Sequence, residues 1–353
     1  MTVPMNNRRE FLTISAGATL GLPAYAQIPF AAAGTTPKAF PMEPSELKEK
    51  LKECLGGEWP EPSPLNSKLI ETEQVTGFTR HLLSYEVEPG DRIQAYLLVP
   101  EGINAQNPAP AIAIWHQHNG QYHLGKSEPA GLDGNPMHHT GAALAKEGYV
   151  TLCPDALCFE GRQDPKGKLK RGHFERFEFL RYVVAGKSMA WKNILDMRRS
   201  IDLLAVRPEV KADQLGCYGH SMGSTHTWLA GPFEPRLKAL VGNCCLPTYK
   251  AIHEERLLHC FPNFVPGWHA YGDTPEIAAL TAPRALHLNL GELDGGSPLD
   301  EAKAGIDRIW AAYEKQGAEE QFSAFIEAGK GHVLSEAMWT RTRQFFGKHL
   351  RRS

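Results

Sequence analysis

The chain has 353 residues, 42 % of them hydrophobic and 22 % charged, with a formal net charge of -2 at pH 7. It is an ordinary globular composition, long enough for one large α/β domain with a substantial core. The near-neutral charge excludes a strong pull toward nucleic acid or anionic lipid, and no apolar run is long enough to span a membrane in the mature protein.

At the N-terminus, Asn7-Arg8-Arg9-Glu10-Phe11-Leu12 is a twin-arginine pattern that leads into a mildly apolar stretch over 11–22. Small-residue cleavage sites follow at Ala24-Tyr25-Ala26 and Ala31-Ala32-Ala33. Residues 1–33 therefore read as a twin-arginine signal peptide cut after Ala26 or Ala33, carrying the folded protein to the periplasm or beyond. The plain alternative is a basic N-terminus arising by chance. Residues 34–65 form a Pro- and Glu-rich extension with one helix over 45–55, expected to pack on the outside of the domain over 66–353.

Two antiparallel-type strands are predicted near 73–86 and 93–99. From there strands and helices alternate: strand 110–115, helix 138–147, strand 149–153, helix 192–205 and strand 214–218. They are followed by helix 222–230, strands 238–244 and 285–290, helix 299–316, strand 322–326 and helix 334–347. Such alternation predicts an α/β fold with a mostly parallel central sheet covered on both faces. The seven cysteines are an odd number, so at least one is unpaired; Cys153, Cys217 and Cys244 sit in apolar strand patterns and read as small core residues.

Gly219-His220-Ser221-Met222-Gly223 falls between the predicted strand 214–218 and the helix that follows. A G-x-S-x-G in that setting is a nucleophile elbow, in which a sharp strand-to-helix turn exposes the serine hydroxyl. The same fold calls for an acid and then a histidine later in the chain. Asp294 lies in Gly291-Glu292-Leu293-Asp294-Gly295-Gly296 after strand 285–290 and is the expected acid, with Glu292 in reserve. His332 lies on the loop after strand 322–326 and is the expected base. A serine hydroxyl is a poor nucleophile at neutral pH, so the imidazole must take its proton while the acid fixes the tautomer. The bland readings are a solvated Asp in a glycine-rich turn and a helix-capping histidine.

A tetrahedral intermediate also needs N–H donors for its oxyanion, each worth on the order of 3 kcal/mol. The backbone N–H of Met222 is the first expected donor. The second is expected from the loop His116-Gln117-His118-Asn119-Gly120-Gln121, with His118 favoured and Gln117 in reserve. The imidazoles of His116 and His118 also permit a metal-pair reading, but no third ligand stands at recognisable spacing, so neither metal nor cofactor is expected.

Several segments resemble the bacterial α/β-hydrolases of the acetyl xylan esterase and dienelactone-hydrolase-like group. They are Ala95-Tyr96-Leu97-Leu98-Val99-Pro100-Glu101-Gly102, Trp115-His116-Gln117 and Gly125-Lys126-Ser127-Glu128-Pro129-Ala130-Gly131-Leu132, and further on Gly148-Tyr149-Val150-Thr151-Leu152-Cys153-Pro154-Asp155, Arg207-Pro208-Glu209-Val210 and Ala282-Pro283-Arg284. With the elbow they span about residues 90–345. The resemblance implies the same fold, with Ser221 as nucleophile, Asp294 as acid and His332 as base. Two departures stand out: Ser224 follows Gly223 where the group usually has a second glycine, and Gln117 replaces a usual glycine.

Two insertions are expected to shape the pocket. Residues 157–189 carry Arg162, Lys166, Lys168, Lys170 and Arg171 ahead of His173-Phe174-Glu175-Arg176-Phe177-Glu178-Phe179. They read either as a lid meeting an anionic or sugar-acid substrate or, the blander choice, as a solvated loop and an amphipathic helix. Residues 248–274 carry Phe261, Phe264, Trp268 and Tyr271, which suit carbohydrate faces and ordinary packing alike. The expected function is an exported serine carboxylester hydrolase, acting through an acyl-enzyme on small-molecule or carbohydrate-linked acyl esters. The rivals are a serine exopeptidase-like hydrolase, whose mark would be an acidic pair for a peptide amine, and a non-catalytic binding protein on the same scaffold. Sequence leaves the oligomeric state open.

Overall fold

The structure is a computed structural model and describes residues 42–350. The expected signal peptide, residues 1–33, lies outside the described residues. Among the described residues nine strands form one sheet: β1 Lys68–Val75, β2 Phe78–Glu88, β3 Asp91–Pro100, β4 Ala109–Trp115, β5 Val150–Pro154, β6 Val210–His220, β7 Leu237–Asn243, β8 Ala285–Gly291 and β9 Phe322–Glu327. Their spatial order is β1-β2-β3-β5-β4-β6-β7-β8-β9. The β1/β2, β2/β3 and β3/β5 pairs are antiparallel, and every pair from β5/β4 through β8/β9 is parallel.

Alternating side chains explain the two-faced packing. On β4, Ala111, Ala113 and Trp115 enter one core with residues of α1 (Pro44–Leu55), α4 (Met189–Ala205), α5 (Met222–Ala230) and α8 (Leu299–Lys315). Ile112 and Ile114 point the other way, into a second core with α2 (Thr140–Lys146) and α9 (Glu336–Leu350). The predicted α/β class, with its mostly parallel sheet clothed on both sides, is the observed one. All seven cysteines are free.

Three expectations need correction. The strand predicted over 73–86 is two strands, β1 and β2, folded back on each other through Thr76-Gly77, where Gly77 has φ 94°. Left-handed backbone of this kind is open to glycine at little cost, and the turn was hidden inside a continuous β-prone run. The helix of the N-terminal extension packs on the domain by one face, leaving Glu46, Glu49 and Glu53 exposed. Leu47, Leu51 and Leu55 of α1 are at most 1 % exposed and belong to the main core. At about 2 kcal/mol for each buried leucine, tertiary burial holds a helix this short, which would be marginal alone. Helix α4 starts at Met189, three residues before the predicted start, because the Ser188 hydroxyl accepts from the Ala190 amide and caps it. Just past the second insertion, α7 (Thr274–Ala279) was not expected; Asp273 and Glu276 form a capping box at its start.

Candidate active site

Strand β6 ends at His220 and α5 begins at Met222, so the whole reversal falls on Ser221, with φ 58° and ψ -117°. That conformation costs a non-glycine residue on the order of 1–3 kcal/mol. It is held from both sides: the Ser221 amide donates to Asn243 O at 2.8 Å, and its carbonyl accepts from the Ser224 and Thr225 amides. Crowding explains the flanking glycines. A Cβ on Gly219 would run into the backbone of Gly223, and one on Gly223 into the carbonyl of Trp115 at the end of β4. Ser224, where the related group has glycine, finds room because Gly242 on β7 faces it, and its hydroxyl donates to Cys245 O at 3.2 Å.

The expected triad residues come together. His332 Nε2 lies 2.8 Å from Ser221 Oγ, and His332 Nδ1 lies 2.9 Å from Asp294 Oδ2. Asp294 is buried, and its second oxygen accepts from the Gly296 amide at 2.9 Å. A carboxylate facing Nδ1 fixes the proton there and leaves Nε2 to accept from the serine hydroxyl. The reserve acid Glu292 turns elsewhere and accepts from the Gly329 amide at 2.7 Å. The loop carrying His332 is pinned through the carbonyl of Val333, which accepts from Asn243 Nδ2 at 3.3 Å and Cys244 Sγ at 3.1 Å.

Two histidines that sequence reasoning passed over stand behind this imidazole. The His220 ring is 5.2 Å from His332 and 4.6 Å from His138, centroid to centroid. Burial drives His220 far below the ordinary imidazole value and His138 down to about 4. Both are therefore neutral beside the His332 ring. Asn243 donates to His220 Nδ1 at 2.7 Å. The position of His220 beside the serine was the available signal; His138 lies 82 residues earlier (220 minus 138) and gave none.

On the opposite side of Ser221, Met222 opens α5, where the first amides of a helix have no intrahelical acceptor. Its side chain packs with Tyr122, Phe159 and Phe174. The loop after β4 is tied down by side chains. His116 donates from Nδ1 to Gln117 O at 2.8 Å and accepts the Ala156 amide on Nε2 at 3.0 Å, and burial lowers it to about 4. With both nitrogens engaged, His116 is not open to a metal, so the His116–His118 pair is lost as a metal reading. The Gln117 side-chain amide donates to both oxygens of buried Glu128, at 3.0 and 3.2 Å. His118 accepts the Gly120 amide on Nδ1 at 3.0 Å and meets Glu175 of α3 (Gly172–Val184) through Nε2 at 3.0 Å. Among the described residues, one group has metal-ligand chemistry: Cys244, Asp294 and His332, with ligand atoms within 4.8 Å of one another. All three already have hydrogen-bond partners: His332 joins Asp294 and Ser221, Asp294 also accepts from the Gly296 amide, and Cys244 Sγ donates to Val333 O.

The insertions divide by role. Arg162 is buried and paired with Asp196 at 2.6 Å and Asp91 at 3.2 Å, so it leaves the set of candidate anion contacts. Lys166, Lys168, Lys170 and Arg171 are exposed, on a turn organised by Asp164, which accepts three backbone amides. Trp268 is fully buried core, whereas Phe261 stacks on Phe179 of α3 with centroids 4.6 Å apart.

Sheet order, elbow and the Ser–His–Asp chain define the architecture of an α/β-hydrolase. Residues 93–254 match the model of the Dienelactone hydrolase family, so the resemblance read from the sequence holds. The chain is 27 % identical over 314 residues to "Putative hydrolase YtaP" of Bacillus subtilis (strain 168), covering 87 % of this chain and 99 % of that protein. Among solved structures it resembles a "putative acetyl xylan esterase" of Bacteroides fragilis NCTC 9343, with TM-score 0.65 and 16 % identity over 80 % of this chain and 74 % of the other. A glucuronoyl esterase of Solibacter usitatus gives TM-score 0.62 and 17 % identity over 86 % and 91 %. At such identities the structural likeness is one of fold. Among the described residues no helix is long and apolar enough to cross a membrane.

Proposed function

We propose that the chain is a serine carboxylester hydrolase working through an acyl-enzyme, with Ser221 as nucleophile, His332 as general base and Asp294 as the orienting acid. The observation that carries this reading is the unbroken chain from Ser221 Oγ to His332 Nε2 at 2.8 Å and from His332 Nδ1 to Asp294 at 2.9 Å. His332 takes the hydroxyl proton as Ser221 attacks the ester carbonyl, and Asp294 stabilises the imidazolium. The backbone N–H groups of Met222 and His118, with Gln117 in reserve, are the proposed donors to the oxyanion. His332 then protonates the departing alcohol, and water admitted in its place is activated by the same ring to release the acid. No step calls for a metal or cofactor.

Small-molecule or carbohydrate-linked acyl esters are the proposed substrates. The names borne by the structural neighbours support this, as do the aromatic side chains around Met222. The exopeptidase reading gains nothing from α3: Glu175 is held by Tyr122 and His118, and Glu178 by Arg181. Export by a twin-arginine signal over residues 1–33 remains part of the proposal, with 34–65 as an extension, 66–353 as the hydrolase domain and insertions at 157–189 and 248–274. Replacing Arg8 and Arg9 by Lys is expected to hold the protein in the cytoplasm. Ser221→Ala is expected to lower p-nitrophenyl acetate turnover by about 10³-fold or more while the fold persists. A fluorophosphonate is expected to label Ser221. A folded alanine variant with full turnover would remove the proposal.

A further inference from the structure

The loop that follows β4 lacks the glycine usual at position 117, yet it must present backbone N–H groups in one orientation. Two buried carboxylates hold it from different sides. Glu128 takes both of its oxygens to the Gln117 side-chain amide. Glu175, 3 % exposed, receives His118 Nε2 on both oxygens at 3.0 and 3.1 Å and the Tyr122 hydroxyl on Oε2 at 2.7 Å. The His118 tautomer follows from its neighbours. Nδ1 accepts the Gly120 amide at 3.0 Å, so the ring proton sits on Nε2 and points at the carboxylate. The Phe159 ring closes the arrangement, with centroids 5.0 Å from His116, His118 and Tyr122 alike.

Glu128 lies close to this loop in the chain, whereas Glu175 belongs to the first insertion, 57 residues beyond His118. We infer that Glu175 is a positioning residue for the proposed oxyanion loop: through the imidazole of His118 it sets the direction of the backbone amide there. This rests on the esterase reading above. The insertion is then a working part of the oxyanion site. A lid free to swing away would have to break charge-assisted hydrogen bonds to a buried carboxylate, which are among the strong ones and leave an unpaired charge behind. No proton needs to move through Glu175; its part is to fix geometry before the substrate arrives.

The experiment compares Glu175→Leu and Glu175→Gln in the full chain with p-nitrophenyl acetate. Leucine removes every acceptor, while glutamine keeps one for His118 Nε2 and can take a hydrogen bond from or give one to Tyr122. The leucine variant is expected to lose about 10- to 100-fold in kcat with KM within about twofold, and glutamine to recover most of the loss. Inhibition by phenylboronic acid, whose serine adduct places an oxygen in the oxyanion hole, is expected to weaken by the same factor as kcat/KM. A purely structural role would lower the melting temperature without matching those two factors. Should Glu175→Leu fail to fold, His118→Leu keeps the backbone amide and removes the imidazole. Its loss is expected to be of the same size and not to deepen when Glu175→Gln is added. A folded Glu175→Leu or His118→Leu with wild-type kcat and wild-type boronate inhibition overturns the inference while leaving the esterase reading intact. If the wild-type protein gives no Ser221-dependent turnover at all, the esterase reading fails first and this inference falls with it.

Discussion

The hydroxyl of Ser224 fills the space that a side chain on Gly242 would need: a Cβ built there would lie 2.5 Å from Ser224 Oγ and 3.0 Å from Leu288. The serine that stands where the resembled group usually has a second glycine is accommodated by Gly242 on the neighbouring strand β7. Gly242→Ala is therefore expected to destabilise the fold by about 1–3 kcal/mol and to disturb the turn at Ser221. Ser224→Gly in the same chain should recover at least about 1 kcal/mol of that loss, a non-additivity readable from urea unfolding of the two single variants and the double. Additive losses would mean that the two residues do not share the space.

Asp294→Asn should cost about 10²-fold or more in kcat, against less than about threefold for Glu292→Gln. Only Asp294 reaches His332, while Glu292 serves the Gly329 amide. The decisive measurement is turnover of p-nitrophenyl acetate at saturating substrate. The opposite ranking would move the acid by two residues.

His226 on α5 is 3 % exposed, and its Nε2 finds no hydrogen-bond partner among the described residues. Burial, helped by His116, holds it down to about 3. An unfolded histidine titrates near 6.5, so the unfolded chain takes up this proton first. The folded state thus keeps its full advantage above about pH 6.5 and loses roughly 1.4 kcal/mol for each pH unit below it, down toward the folded value. His226→Leu should therefore shrink the stability lost between about pH 7.5 and about pH 5 by roughly 2 kcal/mol. Urea midpoints at the two pH values test this, and an unchanged difference would contradict it.

Replacing Lys166, Lys168, Lys170 and Arg171 together by Gln is expected to leave KM unchanged for neutral and acidic sugar esters alike. These side chains are exposed on a turn that Asp164 organises through backbone amides, and Arg162, the buried cation nearby, is committed to Asp91 and Asp196. A rise in KM confined to acidic esters, fading between about 50 and about 500 mM salt as screening shortens the Debye length, would reverse this view.

The sheet and the meeting of Ser221, His332 and Asp294 were legible in the sequence for two physical reasons. Parallel strands buried on both faces read as short apolar runs, and the turn geometry of Ser221 tolerates only small neighbours at 219 and 223. The depth at which the α1 leucines are buried was not read, because an amphipathic helix announces a face but not what covers it. The β1–β2 turn was missed because Thr76-Gly77 interrupts a β-prone run too briefly to register. The roles of Glu175 and Glu128 beside the β4 loop, and the place of His138 beside His220, were not readable, since each depends on a partner that only the folded chain supplies. Arg162 looked like one more surface cation until Asp91 and Asp196 were found around it.

The stacking of Phe179 on Phe261 joins the two insertions, which leave the sheet at different points in the chain. A change of shape in either one is expected to reach the other through this ring pair. Altered preference among esters is thus expected to arise through paired substitutions, one in each segment, and grafting a single insertion from a relative should leave a mismatched rim. Two distant stretches of sequence thus meet in a single ring pair.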